Sequence, residues 1–356
     1  MICGITIRPP SRCSSRFRGH IPAVAITNKT GMIYIFNRLT GEPLYPIEER
    51  AVAQTTVPGE VTWPTQPFST LPPLQPLAYS IADLDNGSEA DRSYCRAQIA
   101  KLKYQGFFTP PSEQGSLIFP SPLGGPNWGS SALDPTTDVM YTRVSILPFR
   151  VRLVPRNVTT WQRVENKWKR EMPVWIGGST AEGSSDAIWS NAYRPPDAGV
   201  GSVDGSSMRG APYSMQLQAL VSPAGLLCGP GPYGRIVATN LDTGKQLWSV
   251  AHGELKRGVS GSVGVGGAIV TDGGLLFAAS TNDPYFRAYD SSNGRELWKG
   301  SLPATSNATP MTYEVKGRQY VVIAVGGHKL AANDESDTVI SFALPERMTS
   351  AKARHR

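Results

Sequence analysis

The chain has 356 residues, 40% hydrophobic and 18% charged, with 35 Lys and Arg against 28 Asp and Glu for a net charge of +7. That apolar share and 8 Trp supply a sizeable core and exclude wholesale disorder. With 36 Gly and 30 Pro and so little charge, coiled coils and helical repeats are excluded and an all-β protein rich in tight turns is expected. Residues 1–19 hold Arg8, Arg12, Arg16 and Arg18 but no apolar h-region, so they do not read as a secretory signal. Strands follow at Val24–Ile26 and Met32–Phe36. Residues 46–127 form a Pro-rich connection, with one short helix over Asp91–Lys103. A strand at Met140–Thr142 precedes a Gly/Ser-rich connection, 157–212, that carries Trp161, Trp168, Trp175 and Trp189. Further strands are Gly234–Ala238, Ala268–Val270, Leu275–Ala279, Tyr320–Ala324 and Thr338–Ala343. Lys352, Arg354 and Arg356 mark a basic tail, and elsewhere the cations are scattered, which fits a solvated surface better than a nucleic-acid site. No apolar run reaches the roughly 18 residues a membrane span needs.

Two segments repeat. Ala238–Trp248 reads A-T-N-L-D-T-G-K-Q-L-W, and Ala288–Trp298 reads A-Y-D-S-S-N-G-R-E-L-W. Ile35–Tyr45 is a relative with Tyr45 in the Trp position, and Ala132–Tyr141 is a shorter one without the Gly. Each unit reads as a hairpin. Asn or Asp ends a strand by bonding the backbone two residues on, and Gly takes the positive-φ turn position. A large aromatic then opens the next strand, where it wedges between neighbouring sheets. Stacked sheets of this kind make a β-propeller.

The four Cys form no C-x-x-C and no C-x-x-C-H, which disfavours a zinc ribbon or a bound c-type haem. Cys95 and Cys228 read equally as a pair or as two buried thiols. The Gly-rich run Gly261–Gly267 leads into the strand pattern of Ala268–Val270 rather than into a helix, so it is not a dinucleotide loop. Lys29, in T-N-K-T-G-M-I-Y, sits at a strand-to-turn junction, and Asn127-Trp128 closes the first long connection with an amide beside a flat apolar face.

Together these pieces resemble a known family. T-N-K-T-G-M-I-Y-I-F-N-R-L-T-G-E-P, Pro64-Thr65-Gln66-Pro67, Phe108-Thr109-Pro110-Pro111, G-G-P-N-W-G at 124–129, D-G-G-L-L-F-A-A at 272–279 and A-T-P-M-T-Y at 308–313 occur in its order. The chain is similar, over 20–156 and 210–346, to the C-terminal half of the membrane-bound PQQ-dependent dehydrogenases of the glucose/quinate/shikimate type, and 157–209 reads as a divergent insertion. The resemblance implies an eight-bladed quinoprotein β-propeller, of which this chain holds about the C-terminal half of the blades. It implies pyrroloquinoline quinone as cofactor, with Ca²⁺ or Mg²⁺ in the intact family. It implies a sugar or cyclic polyol substrate, ubiquinone as electron acceptor, and a place at the periplasmic face of the inner membrane, with membrane contact only through an N-terminal anchor. In such enzymes a base takes the hydroxyl proton while hydride passes to the quinone. Lys29 falls on the lysine that contacts the quinone, and Asn127 and Trp128 on a cofactor-site pair. Asp283 falls on an acid near the pocket and reads equally as an ordinary turn Asp.

The family's catalytic Asp belongs to a motif like H-D-L-W-D-Y-D followed by A-Q-P, which is nowhere in these residues. Codons for Met1–Arg12 read two bases out of register permit D-L-W-D-Y-D-T-A-A-Q-P. Residues 1–19 are therefore expected to be a wrong-frame segment, loosely attached, with Cys3 and Cys13 accidental. The chain alone is expected to be inactive. A non-catalytic propeller used as a binding module is the competing reading.

Overall fold

The computed structural model describes residues 3–6, 21–84, 87–122, 124–126, 129–155, 212–280, 282–327 and 334–344. In chain order these are strands β1 (Cys3–Thr6), β2 (Ala23–Thr27), β3 (Ile33–Asn37), β4 (Ile47–Ala51) and β5 (Thr65–Ser69), then helix α1 (Glu89–Ile99). There follow β6 (Ser116–Ile118), β7 (Ser131–Asp134), β8 (Val139–Ser145), β9 (Phe149–Pro155), β10 (Tyr213–Ala219), β11 (Gly234–Asn240) and β12 (Gln246–Ala251). The chain continues through β13 (Glu254–Lys256), β14 (Val259–Ser260), β15 (Ala268–Val270), β16 (Leu275–Ala279), β17 (Tyr285–Asp290), β18 (Glu296–Ser301), β19 (Met311–Val315), β20 (Arg318–Gly327) and β21 (Glu335–Phe342). They form antiparallel sheets ordered β1-β2-β3, β10-β9-β6, β12-β11-β8-β7, β15-β16-β17-β18 and β19-β20-β21, with two small hairpins, β4-β5 and β13-β14.

The repeat reading holds in detail. Ala238 pairs with Trp248 and Ala288 with Trp298, each with a register shift at the next residue. The aromatics wedge between sheets as expected. The Trp248 indole N–H donates to the Ser291 carbonyl at 3.0 Å, and Trp298 meets Phe342 of the next sheet edge-on, with centroids 5.2 Å apart. Tyr45, in the Trp position, donates to the carbonyls of Leu241 and Asp242 at 2.7 Å. Gly294 has φ +77°, and a Cβ there would lie 2.7 Å from the Trp248 ring, so the residue serves both the turn and the wedge above it. The shorter relative has no Gly, and Asp138 takes the positive φ (55°) in its turn.

Small and branched residues fill the layers between sheets. Ala23, Ala25, Ile33 and Ile35 pack against Met140, Val144 and Val237. Tyr141, Ile236 and Ala238 pack against Leu276, Ala278 and Tyr289. In the last sheet Val321, Ile323 and Val325 are buried against Phe286. Its opposite face leaves Met311, Tyr313 and Val339 exposed, in line with the pairs Met311–Val322, Tyr313–Tyr320 and Val339–Ala324.

Three expectations need amendment. The helix begins two residues before the expected Asp91, because Ser88 caps it and forms a capping box with Asp91. Cys95 and Cys228 form a disulfide between α1 and the segment after β10. Residues 3–6, expected to be loosely attached, pair with β2 in the register Cys3–Thr27 to Thr6–Val24. A short stretch with the β-branched pair Ile5-Thr6 adds readily to a free strand edge whatever its origin.

Candidate functional site

Within an antiparallel sheet, the link entering the first strand and the turn between the second and third lie at the same end. That end gathers the β2–β3 turn with Lys29, the 124–130 link entering β7, the 262–267 link entering β15 and the 280–284 turn after β16.

The Lys29 turn is fixed by its own side chains. Asn28 Oδ1 accepts from the Thr30 N–H at 3.0 Å and from the Thr30 hydroxyl, and the Gly31 N–H donates to the Asn28 carbonyl at 3.0 Å. Lys29 is thereby presented, exposed, at the tip. The Lys29 carbonyl accepts from the Gly125 N–H at 3.4 Å, and the Gly31 carbonyl from the Leu74 N–H at 2.8 Å. The turn is thus joined to the link that carries Asn127 and Trp128, although those two residues themselves lie outside the described residues.

Gln75, which the sequence analysis missed, lies at this junction. A Cβ on Gly31 would come within 2.6 Å of its side chain, and one on Gly125 within 2.1 Å of Oε1. Gln75 is 4% exposed, and among the described residues neither its Oε1 nor its Nε2 has a hydrogen-bond partner. A buried unpaired carboxamide costs about 1–3 kcal/mol and requires a reason. Its signal in the sequence is one amide among the apolar and Pro residues of L-P-P-L-Q-P-L, too weak to single out. The two glycines make room for the Gln75 side chain, which packs between the Lys29 turn and the 124–126 segment.

The same end continues through glycines. A Cβ on Gly129 would sit 2.2 Å from the Gly266 carbonyl oxygen, and one on Gly267 2.3 Å from that of Gly129. The run from Gly261 enters β15 without a helix, as the rejection of a dinucleotide loop requires.

Asp283 is placed in a different setting. It is 7% exposed, and its oxygens accept from Arg287 Nη1 and Nη2 at 2.8 and 2.9 Å. Oδ2 also accepts from the Glu254 N–H at 2.7 Å. His252 beside it contacts the Tyr289 hydroxyl at 2.8 Å and the Ala279 carbonyl at 2.9 Å, and burial drives its pKa well below the usual imidazole value, so it is neutral. Among the described residues no group of three or more His, Cys, Asp or Glu is arranged to hold a metal ion, and no helix is long and apolar enough to cross a membrane.

Residues 14–321 match the family described as PQQ: glucose/ethanol/alcohol dehydrogenase, beta-propeller domain. The chain is 36% identical over 338 residues to the quinoprotein glucose dehydrogenase of Escherichia coli (strain K12), covering 92% of this chain and 39% of that protein. It is 33% identical over 343 residues to a probable quinate dehydrogenase (quinone) of Xanthomonas campestris pv. juglandis, covering 92% and 39%. Against the quinate/shikimate dehydrogenase (quinone) of Acinetobacter baylyi it is 33% identical over 337 residues, covering 91% and 38%. The chain thus spans about two fifths of the length of these relatives. Its repeated aromatic-wedged hairpins and these matches together make it a member of the PQQ-dependent dehydrogenase β-propeller family.

Proposed function

We propose that this chain is part of a pyrroloquinoline-quinone-dependent dehydrogenase that oxidises a sugar or cyclic polyol of the glucose, quinate or shikimate class and passes electrons to ubiquinone at the periplasmic face of the inner membrane. The observation that carries the reading is the junction of the Lys29 turn, Gln75 and the 124–129 link. The quinone, when bound, supplies the two-electron acceptor. Lys29 would help to hold the quinone, its ammonium supplying positive charge that favours the reduced form, a contribution of several kcal/mol in a dry site. Asn127 would supply an amide and Trp128 a flat face for the ring. Asp283 acts one layer behind, through Arg287. The bare face of β19–β21 is what a further blade would cover, which supports a longer propeller.

No D-L-W-D-Y-D motif occurs in these residues, so the chain by itself is expected not to turn over. A divalent cation, Ca²⁺ or Mg²⁺, would be held chiefly by the rest of the propeller. The test is dye reduction with glucose or quinate after adding PQQ and Ca²⁺. We expect none from this chain and turnover from a complete polypeptide. Turnover that is equal in Lys29→Ala and the parent complete protein would overturn the assignment of Lys29.

A further inference from the structure

A cavity of about 230 Å³ lies between α1 and the face of the β10-β9-β6 sheet that carries Arg150. Gln98, Gln218, Arg150, Arg152 and Cys228 are among the residues that line it, and none of its lining residues belongs to the Lys29 or Asp283 corner. Among the described residues no carboxylate lines it. Arg150 and Arg152 alternate along β9 with buried Phe149, Val151 and Leu153, so both project from one face, with Cα atoms about 7 Å apart. Gln218 of β10 pairs with Arg150 and joins them on that face. Burial and the charge of Arg152 both push the Arg150 pKa below the usual guanidinium value, and no acid counters them.

The walls are tied to one another. The Cys95–Cys228 disulfide joins α1 to the segment after β10. The Gln114 amide donates to the Lys101 carbonyl at 3.1 Å, and Arg152 Nε to the Glu113 carbonyl at 2.9 Å. A Cβ on Gly115 would lie 3.6 Å from Arg150 Cγ, so the arginine stem rests on bare backbone. Two guanidinium groups are thus held side by side on fixed elements, and an anion between them relieves their repulsion. A carboxylate offers one edge of two oxygens and a single charge, enough for one planar fork. A phosphate offers several such edges and up to two charges, enough for both. The Gln98 and Gln218 carboxamides can donate to the remaining oxygens or accept from a hydroxyl on the substituent. At about 30 Å³ per water the cavity has the room of about eight waters, which suits a phosphate with a small substituent.

We propose that Arg150, Arg152, Gln98 and Gln218 form a binding site for a phosphate ester, outside the residues assigned to the quinone. The phosphate belongs either to a small soluble ester or to the headgroup of an anionic phospholipid. The site does not depend on the quinone-dependent reading.

The test measures thermal shift and binding isotherms for this chain with glycerol 3-phosphate and with acetate at constant ionic strength, and co-sedimentation with vesicles of phosphatidylglycerol or of phosphatidylcholine. We expect a phosphate probe to bind and acetate not to. Arg150→Gln and Arg152→Gln should each weaken the phosphate by about tenfold or more, the size of a lost charge-assisted bond. Without ligand, Arg150→Gln should leave the melting temperature unchanged or raise it, because a like-charge contact is relieved, whereas a purely structural arginine would lower it. Co-sedimentation with phosphatidylglycerol that is lost in both variants and absent with phosphatidylcholine assigns the phosphate to a lipid headgroup. Glycerol 3-phosphate bound without any vesicle binding assigns it to a soluble ester. Acetate bound as tightly as glycerol 3-phosphate, phosphate probes bound equally by the parent and both variants, or no phosphate probe bound at all would overturn the site. Arg152→Gln, at an exposed position, decides the question if Arg150→Gln does not fold.

Discussion

The Lys29 corner and the Asp283 corner lie at the same end of two sheets that flank the β12-β11-β8-β7 sheet, and their polar groups are used differently. Asp283 gives its oxygens to Arg287 and to the Glu254 N–H, so its hydrogen-bonding capacity is largely consumed by the fold. The Lys29 corner is held by the Gly125 and Leu74 N–H groups and by the Asn28 and Thr30 side chains, while the buried Gln75 carboxamide has no hydrogen-bond partner among the described residues. Committed polar groups hold sheets together, and a buried unpaired one calls for an explanation. The resemblance placed both residues at a cofactor site; the geometry shows Asp283 buried and tied to Arg287 and Lys29 exposed at the tip of a turn.

The contrast breaks most sharply at Asp283. Asp283→Ala leaves Arg287 buried with only the half-exposed Glu296 as partner, and truncating one member of a buried pair costs about 3–5 kcal/mol. Denaturant unfolding should show that loss, and a loss below about 1 kcal/mol would mean that Asp283 is not structural. The disulfide is the next largest effect. Cys95→Ala with Cys228→Ala removes a cross-link between residues 133 apart, worth about 2–5 kcal/mol in a chain-entropy account. Melting with and without reductant checks it: the parent should respond and the double variant should not.

Asp91 extends the committed class to α1. It accepts from the Ser88 hydroxyl and N–H and from the Ala224 N–H, which together pull its pKa down to about 2. Its folded value lies below the unfolded one, so the unfolded chain binds more protons and stability falls with acid. The contribution is complete above about pH 4 and is lost between about pH 4 and pH 2. Asp91→Asn should flatten stability against pH across that window, and an unchanged slope would mean that these hydrogen bonds do not contribute to stability.

Legibility follows the range of the interaction. The hairpin skeleton was readable because Asn, Gly and Trp act within eleven residues, and the Tyr45 substitution was readable because any large ring fills the wedge. The pairing of Cys95 with Cys228 was not, because it depends on where α1 docks against the segment after β10. Gln75 was missed for the same reason. It is one amide among apolar and Pro residues, and its meaning lies in what surrounds it across the sheet interface. Strands β4 and β5 were hidden by Pro64 and Pro67 in a segment read as a connection.

The smallest effect on stability is expected where the functional effect is largest. Lys29 is exposed, its turn is held by Asn28, Thr30 and Gly31, and none of those bonds uses the lysine side chain. Lys29→Ala should therefore change stability by no more than about 0.5 kcal/mol, the usual range for surface substitutions. Gln75→Leu removes an unpaired buried amide at similar volume and should be neutral or stabilise by about 1 kcal/mol. If the corner awaits a quinone, both variants in a complete protein should weaken PQQ binding and lower turnover, and exposed Lys101→Ala should do neither. Urea titrations alongside PQQ binding isotherms separate the two quantities. Stability lost in step with binding would show that Lys29 and Gln75 serve the fold, and the two corners would then be alike. Binding lost at unchanged stability requires a group whose energy is realised only when the ligand is present, as a presented ammonium and an unpaired carboxamide both supply.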